Sequence, residues 1–153
     1  MLRYWCLMLL GLSLSGCSMP RIIVLHDPLD VRQHNDLGVS YQAAGEYDLA
    51  LREYQRAAEL DKHWARPLIN SGNTLAAQQL WSEAAVMYRT ALARESDHAE
   101  AMNNLAWVLL QQEELSLARY WAERAVAASP NTSAFLDTLE SVEEHQRQAA
   151  VIR

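Results

Sequence analysis

Two regimes of apolar patterning divide the chain. Tyr4 to Leu14 is a mostly apolar run of eleven residues, too short to cross a bilayer as a helix. Beyond residue 30, apolar and small residues return at fixed intervals instead of in runs. Gly38, Gly72 and Ala106 stand 34 residues apart, with Glu140 next on the same spacing. Ala50, Ala84 and Ala118 keep that spacing, as do Ala57, Ala91 and Ala125. Tyr54 and Tyr88 form a further column, which Ala122 breaks. This pattern predicts pairs of helices that cross closely at the small residues. Leu37, Tyr41, Leu75, Leu105 and Leu109 then fill the remaining space. Three columns in register over three units exclude the coincidental spacing of a generic Ala-rich bundle.

Punctuation falls between the periodic segments. Asp27-Pro28-Leu29-Asp30 reads as a helix start, with an N-cap, a proline at the first helical position and an acidic third residue. Gly45 closes the first helix and Tyr47 begins the second. Gln79 and Glu113 stand where a turn glycine is expected in the next two units, so each is predicted to carry a strained positive φ. From Ser133 to about Ala149, Phe135, Leu136, Leu139 and Val142 make one apolar face. Glu140 there replaces the small crossing residue, which predicts a single capping helix with no partner after it. Seven helices are expected in all.

The 34-residue period with Gly/Ala columns resembles the tetratricopeptide repeat, a helix–turn–helix unit. The resemblance implies an all-α, right-handed solenoid: units at 31–64, 65–98 and 99–132, then a capping helix and tail at 133–153. Lys62, Ser96 and Pro130 fall on the family's inter-unit proline column, and only Pro130 matches. The positions that face the family's concave groove map onto Arg32, Asn35, Asp36 and Val39 in the first unit. They map onto Arg66, Ile69, Asn70 and Asn73 in the second, and onto Glu100, Asn103, Asn104 and Trp107 in the third. Asparagine amides suit an extended peptide because each both donates and accepts. Arg32 and Arg66 suit a carboxylate, and Trp107 with Val39 an apolar group. Some members clamp the C-terminal carboxylate of cytosolic chaperones with two Lys, two Asn and a further base. Only Asn70 matches that set; Asn35, Val39, Glu100 and Asn104 occupy its other positions, so the clamp is absent.

The N-terminal run has the length of a secretory h-region, with Arg3 before it. It ends in Leu14-Ser15-Gly16-Cys17, which resembles the lipobox of bacterial lipoproteins. That resemblance implies a signal peptide over 1–16, lipidation at Cys17 and a short tether over 17–30. Ser18 after the Cys implies the outer membrane of a Gram-negative bacterium, with the domain facing the periplasm. Nine residues from Ser18 to His26 reach at most about 30 Å, which keeps the domain near the bilayer. The β-branched run Arg21 to His26 either packs on its own domain or adds to a partner's sheet edge. Cys6 lies in the h-region, so the mature chain keeps no cysteine for a disulfide.

Composition narrows the function. At 153 residues, half of them apolar, the chain holds one folded domain. Five Gly and four Pro are too few for a β-rich chain of tight turns. Loss of residues 1–16 removes Arg3 and no acid, leaving 12 basic against 19 acidic residues, a balance that excludes a generally basic nucleic-acid binder. His26, His34, His63, His98 and His145 never fall at the i, i+4 spacing of a helical metal site. Phosphate-loop and nucleophile-elbow motifs are missing too, so neither catalysis nor a cofactor is expected. The expectation is a membrane-anchored adaptor that binds a protein or extended peptide in its groove. Segments such as Asp27-Pro28-Leu29, Asn103 to Trp107 and Leu136-Asp137-Thr138-Leu139 also resemble repeat tails of bacterial lipoproteins carrying a papain-like cysteine peptidase domain, a domain not expected in this sequence. A companion of such an enzyme, or a pilotin-like escort in type IV pilus or secretion-system assembly, is the alternative.

Overall fold

The structure is a computed structural model and describes residues 27–151. The expected signal peptide, the lipidated Cys17 and the Arg21 to His26 run lie outside the described residues. Among the described residues, seven helices follow one another: α1 (Val31–Ala43), α2 (Tyr47–Leu60), α3 (Arg66–Ala77), α4 (Trp81–Arg94), α5 (Ala99–Gln111), α6 (Leu115–Ala128) and α7 (Ser133–Val151). They pair as α1 on α2, α3 on α4 and α5 on α6. The pairs stack in chain order, and α7 closes the stack against α6 and α5. The all-α solenoid of three units and a terminal helix is therefore present.

The Ala columns lie at the centre of this stack. Ala50, Ala84, Ala118, Ala57, Ala91 and Ala125 are fully buried. In the first two units the crossing glycines make room for an aromatic ring. A Cβ on Gly38 would stand 2.6 Å from Tyr54 Cε1, and one on Gly72 only 2.5 Å from Tyr88 Cε1. The third unit solves the same crossing with Ala106 against a column that holds Ala122, both fully buried. Leu105, Val108 and Leu109 fill that level, whereas Leu37, Tyr41 and Leu75 are only half-buried.

The three turns inside the units share one geometry. Glu46 N–H donates to Tyr41 O, Leu80 N–H to Leu75 O and Glu114 N–H to Leu109 O, at 2.9–3.0 Å. Each turn needs one left-handed residue. Gly45 takes it at φ +79°, and Gln79 and Glu113 take it at +61° despite their side chains.

Two sequence expectations change. Asp30, not Asp27, caps α1. Its Oδ1 accepts from Arg32 N–H at 2.8 Å and Gln33 N–H at 2.9 Å, while Gln33 Oε1 accepts from Asp30 N–H. Reciprocal bonding satisfies the exposed first-turn donors better than a proline start, and Pro28 is left outside the helix. Leu136 leaves the apolar face of α7: Val142 is fully buried, but Leu136 is 44% exposed.

Between units, side chains close the helix ends. Arg94, in the last turn of α4, donates to the carbonyls of Asp61 and Trp64 at 3.0 Å and of Ala58 at 3.2 Å. It thereby satisfies acceptors that the end of α2 leaves open. The neighbouring Glu95 accepts from Ala65 N–H at 2.7 Å, at the start of α3.

Candidate functional site

The groove residues sit on α1, α3 and α5, whose small crossing residues fix how far these helices stand forward of α2, α4 and α6. Neighbouring asparagines bond across units. Asn70 Nδ2 donates to Asn35 Oδ1 at 2.9 Å, and Asn104 Nδ2 donates to Asn73 Oδ1 at 2.9 Å. The Tyr88 hydroxyl donates to the same Asn73 oxygen at 2.7 Å. Asn73 Oδ1 therefore has both lone pairs engaged, and its two amide hydrogens remain available. Asn70 keeps its carbonyl oxygen and one hydrogen. Asn35 and Asn103 are buried, and Asn103 Oδ1 has no partner among the described residues. Ile69 is fully buried as well.

The expected basic residues are already engaged. Arg66 Nη1 donates to Glu100 Oε2 at 2.6 Å. Both ends of this pair are about 38–39% exposed, so it neutralises local charge more than it stabilises the fold. The Arg32 guanidinium lies 5.9 Å from the Trp64 ring centroid. Asp36 is exposed. Apolar surface is open at Val39, 47% exposed, and at Trp107, 41% exposed. Trp81 meets Trp107 edge to face, with centroids 5.3 Å apart, and holds that ring in place.

A second polar chain runs beneath the asparagines. Tyr54 hydroxyl and Thr74 hydroxyl both donate to Gln42 Oε1, at 2.8 and 3.0 Å, which ties the first unit to the second. Burial pushes the Tyr54 phenol up to about 12. It pushes Tyr88 higher still, against a smaller opposing effect from the Asn104 amide. Sequence reasoning missed this chain, and it missed His34. His34 is almost wholly buried, with Nδ1 2.7 Å from Glu53 Oε2 and Nε2 3.4 Å from Asp27 Oδ2. Its position one turn before Gly38, at the helix crossing, was the available signal. No cluster among the described residues has the composition of a metal site.

Two tetratricopeptide-repeat models match this chain, one over residues 31–64 and one over 69–132. With the stacked helix pairs, they establish that the chain is built of tetratricopeptide repeats. Solved structures agree in fold. The first tetratricopeptide domain of Spaghetti (RPAP3), bound to the HSP90 peptide SRMEEVD, superposes with a TM-score of 0.74 at 17% identity. The match covers 81% of this chain and 98% of that one. The Sgt2 domain of Aspergillus fumigatus gives 0.74 at 19% identity, covering 78% of this chain and 81% of that one. The Yersinia enterocolitica type III secretion chaperone SycD, in complex with a peptide of the translocator YopD, gives 0.69 at 20% identity, covering 76% and 94%. No curated protein sequence matches the chain.

Proposed function

We propose that the chain is a lipid-anchored adaptor, held to the outer membrane through Cys17, that binds an extended stretch of a partner protein in its concave groove in the periplasm. One observation carries the groove reading: the cross-unit asparagine row leaves amide groups free beside the exposed Trp107 ring. An extended peptide needs alternating donors and acceptors along its backbone and an apolar seat for a side chain. The similar solved domains that hold an HSP90 peptide and a YopD peptide support the reading by fold alone. The occupant differs in chemistry from an acidic chain end. Arg66 is paired with Glu100 and only Asn70 matches the carboxylate clamp, so the amides and Trp107 select backbone and an apolar side chain. The anchor rests on Leu14-Ser15-Gly16-Cys17.

Affinity capture from solubilised membranes, repeated with Trp107→Ala, tests the groove. Trp107 is exposed enough for the fold to survive, and the captured partner should bind at least about tenfold more weakly. Unchanged capture would move the binding surface elsewhere. Incorporation of a tagged fatty acid should be lost in Cys17→Ala, and equal labelling would remove the anchor reading.

A further inference from the structure

Among the described residues, α7 has no second helix packed on it as α1, α3 and α5 have α2, α4 and α6. His34 bonds Glu53 of α2, and Gly38 and Gly72 meet the Tyr54 and Tyr88 rings of their second helices. Leu37, then Leu68 and Ser71, then Met102, Leu105 and Ala106 hold the neighbouring and equivalent positions of the repeat. On the same 34-residue spacing α7 presents Leu136, Leu139 and Glu140. These residues line an open groove of about 810 Å³ with Arg119, Glu143, Gln146, Arg147 and Ala150. Glu140 bars a further repeat helix, because the crossing requires glycine or alanine.

We infer that a second copy of this chain covers this face, the two α7 helices lying antiparallel about a two-fold axis near Glu143. The charge order selects that arrangement. Along the groove wall run apolar Leu136 and Leu139, acidic Glu140 and Glu143, basic Arg147, then apolar Ala150. A parallel pair sets Glu140 on Glu140 and Arg147 on Arg147 of the second copy. An antiparallel pair sets Glu140 on Arg147 twice over and brings each Leu136 to the other copy's Ala150 end. At the axis each Glu143 has Arg119 of its own copy 3.9 Å away, which offsets the meeting of two carboxylates. The four charges lining the groove cancel within each copy, although the whole chain carries −6. This is a face on which two acidic molecules approach without net repulsion. The existing bonds of Arg147 to Glu144 and of Arg119 to Glu123 are exposed and exchange at little cost.

Sedimentation equilibrium of the full chain in density-matched detergent tests the pairing, with circular dichroism to confirm folding. The wild-type chain should form a reversible dimer. Glu140→Arg alone and Arg147→Glu alone each place two like-charge contacts in the interface and should raise the dimer dissociation constant about tenfold or more. An equimolar mixture of the two single variants should regain wild-type association, since each then faces its opposite. The double swap should regain it too. A chain that stays monomeric at all concentrations overturns the inference. So does a dimer indifferent to both single swaps, which would place association elsewhere on the molecule.

Discussion

The first two units and the third occupy the same 34-residue frame but close their helix crossings by different means. In the first two a glycine admits a tyrosine ring, and the phenol reaches on to an amide: Tyr54 to Gln42, Tyr88 to Asn73. Those amides also accept from the following unit, through Thr74 and Asn104. The third unit carries Ala106 and Ala122 at the corresponding positions and packs with leucine and valine. Where another repeat follows, the crossing also carries polar information forward; where only α7 follows, aliphatic volume suffices. The difference shows that a repeat position fixes a volume to be filled, and the neighbour decides with what chemistry.

The strongest way to break this contrast is to empty the aromatic seat. Tyr88→Ala should cost about 3–5 kcal/mol by analogy with other buried ring deletions, read from urea unfolding. Gly72→Ala should cost about 1–3 kcal/mol, because the new methyl meets the Tyr88 ring. Combined, the two changes reproduce the third unit's pair, and their total should fall at least about 1 kcal/mol below the sum. Strict additivity would mean that the glycine and the ring do not share space.

Ala106→Gly sharpens the contrast from the other side. With no ring to admit, glycine there brings only backbone entropy and a lost methyl, a loss of about 1 kcal/mol. A gain in melting temperature would contradict the aliphatic closure. The smallest effect at neutral pH is the titration of the phenols. Tyr54 ionises near 12 in the fold against 10 when unfolded, so the folded state holds its proton longer. That contribution is complete below pH 10 and is lost as pH rises through about 12. Phenolate absorbance at alkaline pH should appear for Tyr54 and Tyr88 together with loss of helix, and earlier ionisation would deny their burial.

Much of the fold was legible because small-residue columns report the closest approaches directly. Gly45, Gln79 and Glu113 likewise announced three equivalent turns, and all three adopt positive φ. The start of α1 was misread because Pro28 is a helix-start residue by frequency, whereas the reciprocal bonds of Asp30 and Gln33 decide the cap. The groove was legible as a set of positions and not as chemistry. Asn35, Asn70, Asn73 and Asn104 bond in pairs 31–35 residues apart, so the sequence shows four amides but not which atoms are spent. Arg66 likewise looked free because its partner Glu100 lies one whole repeat away.

The clasp made by Arg94 and Glu95 has a consequence for how the molecule comes apart. In an array of repeats, cooperativity is set by the links between neighbours more than by each unit alone. Here two consecutive residues at the end of the second unit hold both the exit of the first unit and the entrance of its own α3. The next junction is tied differently, by Arg66 to Glu100, Asn104 to Asn73 and Gln112 to Ser82, with Arg124 reaching the Ser96 carbonyl only at 3.4 Å. The clasp should therefore couple the first two units, so that Arg94→Ala lets the first unit open ahead of the second. Amide exchange in α1 and α2 should then quicken relative to α3 and α4.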